Sequence, residues 1–356
     1  MHSFSAESLE IFIYHANLTE LMSKSVKIGI IGVGRWGKNY LRTLNELENA
    51  DVQWVCATRE NTIKEALKAN NNPSVKTTTN YKDILNDEEI DAVAIASNGA
   101  THYKLAKDAL QSNKHVIVEK PLAFHSQDVK ELIRISKERK KILMVGHLHI
   151  YNPGIKKLKA DIDKGLFGKI NFIHLSHFGN GPVRSDLGVI WDFFPHSISI
   201  LLHLLGKMPL SVSVNGASYI KNGIEDIATM DMAFPNKIFA TSAASWLYPL
   251  KKMDVVVAGE KLYATFDDYA KIGKLKYYDS RPSIVNGRVI LKDNRYISPL
   301  ISDAKPLTEQ LKHFLNCVIK NEIPLTDGYE GLKVVSVLEA AQKSLKNNGL
   351  NVKAAP

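Results

Sequence analysis

The sequence predicts a two-domain α/β protein: a doubly wound parallel sheet comes first, then an α+β domain with a large, open, mostly antiparallel sheet. Three observations carry that expectation. At roughly 100 to 200 residues per domain, a chain of 356 residues suffices for two. From Val26 to about Gly146, apolar strand-like runs alternate with segments of helical period, as a parallel sheet with crossover helices requires. After Asn152-Pro153-Gly154, which reads as a break, the pattern becomes runs of alternating strands with few helices between them, as when an antiparallel sheet buries one face.

The strands predicted in the first half are Val26 to Ile31, Val52 to Ala57, Ala92 to Ala96, Val116 to Glu119 and Ile142 to Val145. Between them Tyr40, Leu41, Leu44 and Leu47 fall on one helical face, as do Leu105, Ala106 and Ala109, and later Val129, Leu132 and Ile133. In the second half Leu210 to Val214, Met230 to Phe234 and Lys261 to Phe266 alternate as strands, and Pro235-Asn236-Lys237 reads as a turn. Pro195 opens a helix that Gly206 closes, and helical period returns at Leu311, Phe314, Leu315 and Val318 and at Leu332, Val335, Leu338 and Ala341.

Composition narrows the class. Apolar residues make up 45% and charged residues 23%, and no apolar run approaches the roughly 20 residues that cross a bilayer, so a membrane partner is not expected. Two cysteines, Cys56 and Cys317, make no disulfide framework and no zinc pattern, which suits the cytoplasm. The 46 Lys+Arg against 37 Asp+Glu give +9, but only Lys137, Arg139, Lys140 and Lys141 cluster, at a helix end where basic residues suit the dipole; nucleic acid is not expected. Residues 1–24 read as an appendage, with a short helix around Leu9 to Leu18 and a natural start at Met22, and they lack a secretory signal pattern.

Gly32-Val-Gly-Arg-Trp-Gly37 follows the first strand and opens the first helix, the context in which GxGxxG holds a dinucleotide. Gly32 permits the turn, Gly34 lets backbone approach a pyrophosphate, and Gly37 allows close helix packing, while the helix start offers amide donors. Where an NAD site has an acidic residue after the second strand, this chain has Ala57 or Thr58 followed by Arg59, and a guanidinium suits a 2′-phosphate; NADP is the expected cofactor. The other reading, a solvated Arg59 and NAD bound without the carboxylate, stays open. Ser97 and Asn98 end the next strand at the carboxyl edge and should line the cofactor; His102 either joins them or packs at its helix start. Lys120 leaves the sheet at the same edge between Glu119 and Pro121.

In the second half Asp192 and His196 stand four apart, so a helix begun by Asp192 would put both on one face and make a carboxylate-held imidazole, a sound general base. Their spacing alone equally suits a helix cap and a core histidine. Arg184 is either a site for an anionic group or half of a surface ion pair. His147 and His149 are read as projecting to one side of a strand, with no third ligand in reach for a metal.

Together these pieces resemble the Gfo/Idh/MocA oxidoreductases, from about Val26 to Leu350. The resemblance rests on Gly32-Val-Gly-Arg-Trp-Gly37, Glu119-Lys-Pro121, Asp192 with His196, and Pro306-Leu-Thr-Glu-Gln-Leu-Lys-His-Phe314. It implies a Rossmann domain over 25–147 and a substrate-binding and oligomerisation domain over 148–356. It also implies a homodimer or homotetramer, and hydride transfer between nicotinamide and a secondary alcohol of a sugar, polyol or nucleotide sugar. Lys120, Asp192 and His196 would then be catalytic, with Tyr151 and Arg184 at the substrate and Arg35 and Trp36 at the cofactor. Gly146-His-Leu-His-Ile-Tyr-Asn-Pro153, Arg184-Ser-Asp186 and Trp191-Asp-Phe-Phe-Pro-His196 look like the subgroup that oxidises C3 of nucleotide-linked amino-sugar acids, although Ser197 stands where that subgroup has Asp. The rival is a non-catalytic sensor of the same fold, which would be expected to lose the lysine or the histidine.

Overall fold

A computed structural model of the chain describes residues 25–70, 74–181, 183–279, 282–290 and 295–354. The expected appendage over 1–24, with its helix and its start at Met22, lies outside them. The chain divides into two compact units. One takes in the described chain up to Leu122, then Val129–Gly146 and Leu307–Gly328; the other takes in Ala123–Asp128, His147–Pro306 and the chain from Tyr329 onward.

The first unit is built on β1 (Val26–Ile31), β2 (Ala50–Cys56), β3 (Lys76–Thr78), β4 (Ala92–Ile95), β5 (His115–Val118) and β6 (Leu143–Val145). They pair in parallel in the order β3-β2-β1-β4-β5-β6. Helices α1 (Gly37–Asn45), α2 (Glu60–Asn70), α3 (Lys82–Asn86), α4 (Gly99–Gln111) and α5 (Ser126–Arg139) alternate with the strands. A parallel sheet covered on both faces needs strands that are apolar throughout, and Ile28, Ile30, Val93, Ile95, Ile117 and Val118 are accordingly buried. Tyr40, Leu41 and Leu44 bury the predicted face of α1. Strand β3 escapes sequence reading because a polar Lys-Thr-Thr edge has neither length nor alternation. At the other edge the chain returns: the Val145 N–H donates to the Thr326 carbonyl at 2.7 Å, and the Thr326 hydroxyl to the Val145 carbonyl at 2.8 Å.

The second unit opens with α6 (Pro153–Asp163), β7 (Ile170–Asn180), α7 (Val189–Asp192) and α8 (Phe194–Leu205). The strands β8 (Ser211–Ala217), β9 (Ile227–Phe234), β10 (Ile238–Ser245), β11 (Leu247–Gly259), β12 (Tyr263–Asp267) and β13 (Leu275–Tyr278) follow. After the small hairpin β14 (Ser283–Val285) and β15 (Arg288–Ile290) comes β16 (Tyr296–Ile297); α9 (Pro306–Lys320) belongs from Leu307 to the first unit, and α10 (Gly328–Lys346) and β17 (Val352–Lys353) complete the second. Nine strands form one sheet in the order β16-β13-β12-β11-β7-β10-β9-β8-β17. Every pair is antiparallel except β7 with β10, so the sheet is mixed, mostly antiparallel. Strand β9 shows the cause of one-sided burial: Met230, Met232 and Phe234 are buried while the residues between them are exposed. The Pro235–Lys237 turn joins β9 to β10, with Asn236 and Lys237 at φ 65° and 60°.

Asn152-Pro153-Gly154 is a helix start rather than a break. The Asn152 side chain accepts the Gly154 N–H at 2.9 Å, and Pro153 takes the first position of α6, where a missing N–H costs nothing. No helix among the described residues is long and apolar enough to cross a membrane.

Candidate active site

The first unit brings the exits of β1, β4 and β5 together at one sheet edge, because these strands are neighbours. Gly32 leaves β1 at φ 95°, where a Cβ would lie 2.6 Å from the Ser97 backbone nitrogen. The Gly32 N–H donates to the Cys56 carbonyl at 2.8 Å, which draws the turn onto the end of β2. At Gly37 a Cβ would come within 1.8 Å of the Gly32 carbonyl oxygen, whereas around Gly34 there is nothing within 4 Å. Gly32 and Gly37 are therefore demanded by the chain's own packing, and Gly34 leaves the open approach a pyrophosphate needs. The start of α1 has no side-chain cap, and the Lys38 and Asn39 N–H groups donate to the Gly34 and Trp36 carbonyls at 3.2 and 2.8 Å.

Glu119 turns away from the role of a mere neighbour to Lys120. Its Oε1 accepts the Trp36 indole N–H at 2.6 Å and the Tyr40 hydroxyl at 2.8 Å, and its Oε2 accepts the Lys120 N–H at 3.2 Å. It is buried, and that burial raises its pKa above the usual carboxylate range against the pull of the Tyr40 bond and the Lys120 charge. Trp36 itself stays 41% exposed, a flat surface beside the glycine turn. Tyr40, counted in the sequence only as part of an apolar face, is thus half of the anchor. Lys120 is half-buried at the exit of β5, where the Lys120–Pro121 peptide is cis.

Asn98 caps α4 through the Ala100 N–H at 3.0 Å, and the Ser97 hydroxyl meets that of Thr101 at 2.8 Å. His102 adopts the packed arrangement rather than an open one: it is 1% exposed, with Nδ1 2.7 Å from the Pro121 carbonyl oxygen and Nε2 3.2 Å from that of Ser97. Thr58 and Arg59 are exposed in the bend after β2.

In the second unit the helix does not run unbroken from Asp192 to His196. Asp192 ends α7, Phe193 interrupts, and the His196 N–H in the first turn of α8 reaches the Phe193 carbonyl at 3.1 Å. Phe193 at the junction keeps αR geometry, with φ −103° and ψ −38°. A bulky Phe193 at the junction with Pro195 just beyond it divides the segment. Gly206 closes α8 at φ 64° as expected. Asp192 Oδ2 accepts the Trp246 indole N–H at 3.2 Å, and Arg184 Nη1 stands 4.0 Å from Oδ1. Arg184 also grips Asp186 in two bonds of 3.0 and 2.8 Å, and these raise its pKa.

His149 is not on a strand, since Leu148–Tyr151 forms a 3-10 turn that ends against Asn152. In that turn Tyr151 is 2% exposed, with the Lys156 ammonium over its ring, and His147 just before it is hydrogen-bonded to Glu330. The His149 ring stands edge-to-face on His196 with centroids 4.6 Å apart, and His177 lies flat on Phe193 at 4.1 Å. The sequence pointed to His149 only as half of a pair with His147, and gave no sign that β7 would bring His177 to the same place.

A strand, glycine turn and helix at the switch point of a doubly wound sheet, followed by a large mixed sheet, define a dinucleotide-dependent oxidoreductase of two-domain build. Residues 26–147 match the model of the oxidoreductase family with an NAD-binding Rossmann fold, and 155–265 that of the GFO/IDH/MocA C-terminal domain; the chain belongs to the Gfo/Idh/MocA family. It is similar to myo-inositol 2-dehydrogenase of Thermotoga maritima, at 24% identity over 90% of this chain and 96% of that one. It is also similar to UDP-N-acetylglucosamine 3-dehydrogenase of Acidithiobacillus ferrooxidans, at 25% identity over 87% and 94%. Among solved structures, levoglucosan dehydrogenase with NADH and levoglucosan shares the fold at a TM-score of 0.81 and 17% identity, covering 94% of this chain and 100% of the other. The chain is an NAD(P)-binding dehydrogenase of the CH–OH class, and the reading as a non-catalytic sensor is not favoured.

Proposed function

We propose that the chain oxidises a secondary alcohol of a sugar or nucleotide sugar with NADP, reversibly. The observation that carries this reading is the convergence of the Gly32 turn, Ser97 and Lys120 at the exits of three adjacent parallel strands, where open α/β sheets bind their ligands. The bound nicotinamide supplies the hydride acceptor at C4. His196 takes the hydroxyl proton, Lys120 donates to the same oxygen and steadies its developing charge, and Asp192 holds or shares the proton of His196. Arg184, its charge held by Asp186, faces an anionic group of the substrate, and Tyr151 backs that region. Arg35, Trp36, Thr58 and Arg59 lie against the cofactor. Similarity to a UDP-N-acetylglucosamine 3-dehydrogenase over most of both chains supports a nucleotide sugar and oxidation at C3.

The outer face of the nine-stranded sheet supports a homodimer or homotetramer: Phe172 and Phe239 stack there with centroids 6.2 Å apart, and Phe239 is 47% exposed. The cytoplasm is the compartment in which such a cofactor and two buried free thiols are both at home. A screen of nucleotide sugars, free sugars and inositols with NAD and NADP, followed by nicotinamide absorbance, tests the reading. Turnover of a nucleotide sugar with NADP is expected; turnover confined to free polyols would overturn the substrate assignment.

A further inference from the structure

Three imidazoles from three separate elements meet in the second unit. His149 comes from the 3-10 turn, His177 from β7 and His196 from the first turn of α8. Ring centroids are 4.6 Å apart for His149 and His196, 5.4 Å for His177 and His196, and 5.8 Å for His149 and His177. His149 meets both of the others edge-to-face, at 85° and 89°, while Phe193 covers the His177 ring at an interplanar angle of 2°. At such separations, inside protein, a proton on one ring works against a proton on the next.

Other ionisable groups stand on the elements packed against α8. Asp192 approaches from α7, with Arg184 4.0 Å from its carboxylate. On the turn side His147 is engaged by Glu330. Lys156, Lys159 and Asp163 of α6 act on His203, near the other end of α8. Strand β10, which also packs on α8, contains no ionisable side chain. Within the second unit three imidazoles thus lie together at His196, with Asp192 on the neighbouring α7 and Arg184 beside that carboxylate.

We propose that His149 and His177 are positioning residues that set the proton affinity of His196, so that the three rings titrate as one group that is neutral before the alcohol proton arrives and resists a second proton after it. The inference rests on the reading of His196 as the base. A proton taken from the alcohol oxygen becomes the single charge of the cluster, balanced by Asp192, and a second proton is opposed by the first. His196 is thereby kept receptive at pH values where an isolated imidazole would already be filling. Coupled groups of this kind titrate over a broader range than a lone one.

The experiment compares the full chain with His149→Gln and His177→Gln, variants that remove an ionisable ring and leave a polar side chain. Two readouts are used: the pH profile of kcat/KM, and NMR titration of 13C-labelled histidine rings in the free protein. In the unaltered protein the His196 resonance should titrate more shallowly than a single site. In each variant it should sharpen and move up by about 0.5 to 1 unit, because a like-charged neighbour has gone. The acid limb of kcat/KM should follow the same shift while KM changes little. A His196 resonance that follows a single-site curve with the same midpoint in all three proteins would overturn the proposal. The NMR titration reads the cluster whether or not His196 is the base, whereas near-normal turnover in His196→Ala removes only the assignment of the base.

Discussion

The Trp36 indole N–H donates to Glu119 Oε1 at 2.6 Å, and this one bond ties the glycine turn after β1 to the exit of β5. Two segments that would contact opposite parts of one cofactor are thereby held as a single rigid edge. Replacing Glu119 by Ala leaves the buried Tyr40 hydroxyl and the Trp36 indole without their acceptor. A hydrogen bond to a charged group is worth about 1.5 to 3 kcal/mol, so Glu119→Ala should weaken cofactor binding by about tenfold or more, with Glu119→Gln in between. Titration calorimetry with NADP measures this, and unchanged affinity in Glu119→Ala would show the anchor to be irrelevant.

Two glycines of the turn should fail in different ways. Gly37→Ala drives a methyl against the Gly32 carbonyl, 1.8 Å from the ideal Cβ position, so the fold itself should suffer, with a melting temperature several degrees lower. Gly34→Ala meets nothing within 4 Å, so the melting temperature should hold while dinucleotide affinity falls. Thermal melts with and without cofactor separate the two, and equal losses at both positions would contradict the division of labour.

Arg59 is expected to decide the cofactor. A charge-assisted contact to a 2′-phosphate corresponds to about tenfold or more in affinity, so NADP should bind more tightly than NAD and lose that margin in Arg59→Ala. Tighter binding of NAD to the unaltered chain would refute the preference.

Lys120→Ala and His196→Ala should each lower kcat by about 100- to 10,000-fold while cofactor affinity and secondary structure survive, since a positioned acid or base contributes on that order. Steady-state rates on the best substrate from the screen are the measure. If Lys120→Ala alone retained full turnover, the lysine would have to be reassigned to structure.

Two histidines should make the fold acid-sensitive. Burial, aided by a nearby lysine, takes His203 and His115 from the usual 6.5 down to about 4. The His115 ring is also needed neutral, because its Nδ1 accepts the Ile142 N–H at 3.1 Å. Above about pH 6.5 both rings are neutral whether folded or unfolded and contribute no pH dependence. As pH falls from there to about 4 the unfolded chain takes up protons that the folded one refuses, so stability declines across that window and levels off below it. With allowance for partial exposure the loss is about 1 to 2 kcal/mol per ring. Urea unfolding at pH 7 and pH 4.5 should show it, and His203→Gln should flatten the slope.

What the sequence by itself determined is local in character. The continuous apolar runs of β1, β4 and β5, the glycines at 32, 34 and 37, the αL closure at Gly206 and the turn at Pro235–Lys237 each depend on a few consecutive residues, and each is where its residue types demand. Even the start of α6 was written there, in an Asn-Pro pair that doubles as cap and first turn. Only the tertiary structure decided the rest. It returned Thr326 to pair with Val145 across 181 positions, gave Glu119 to Trp36 and Tyr40 rather than to Lys120 alone, broke the helix between Asp192 and His196, and set His149 and His177 around His196. The physical reason is the range of the forces involved. Backbone conformation and amphipathic period are set by neighbours within a turn or two, whereas the partner of a buried polar side chain is whichever group the packing of distant apolar faces brings within about 3 Å.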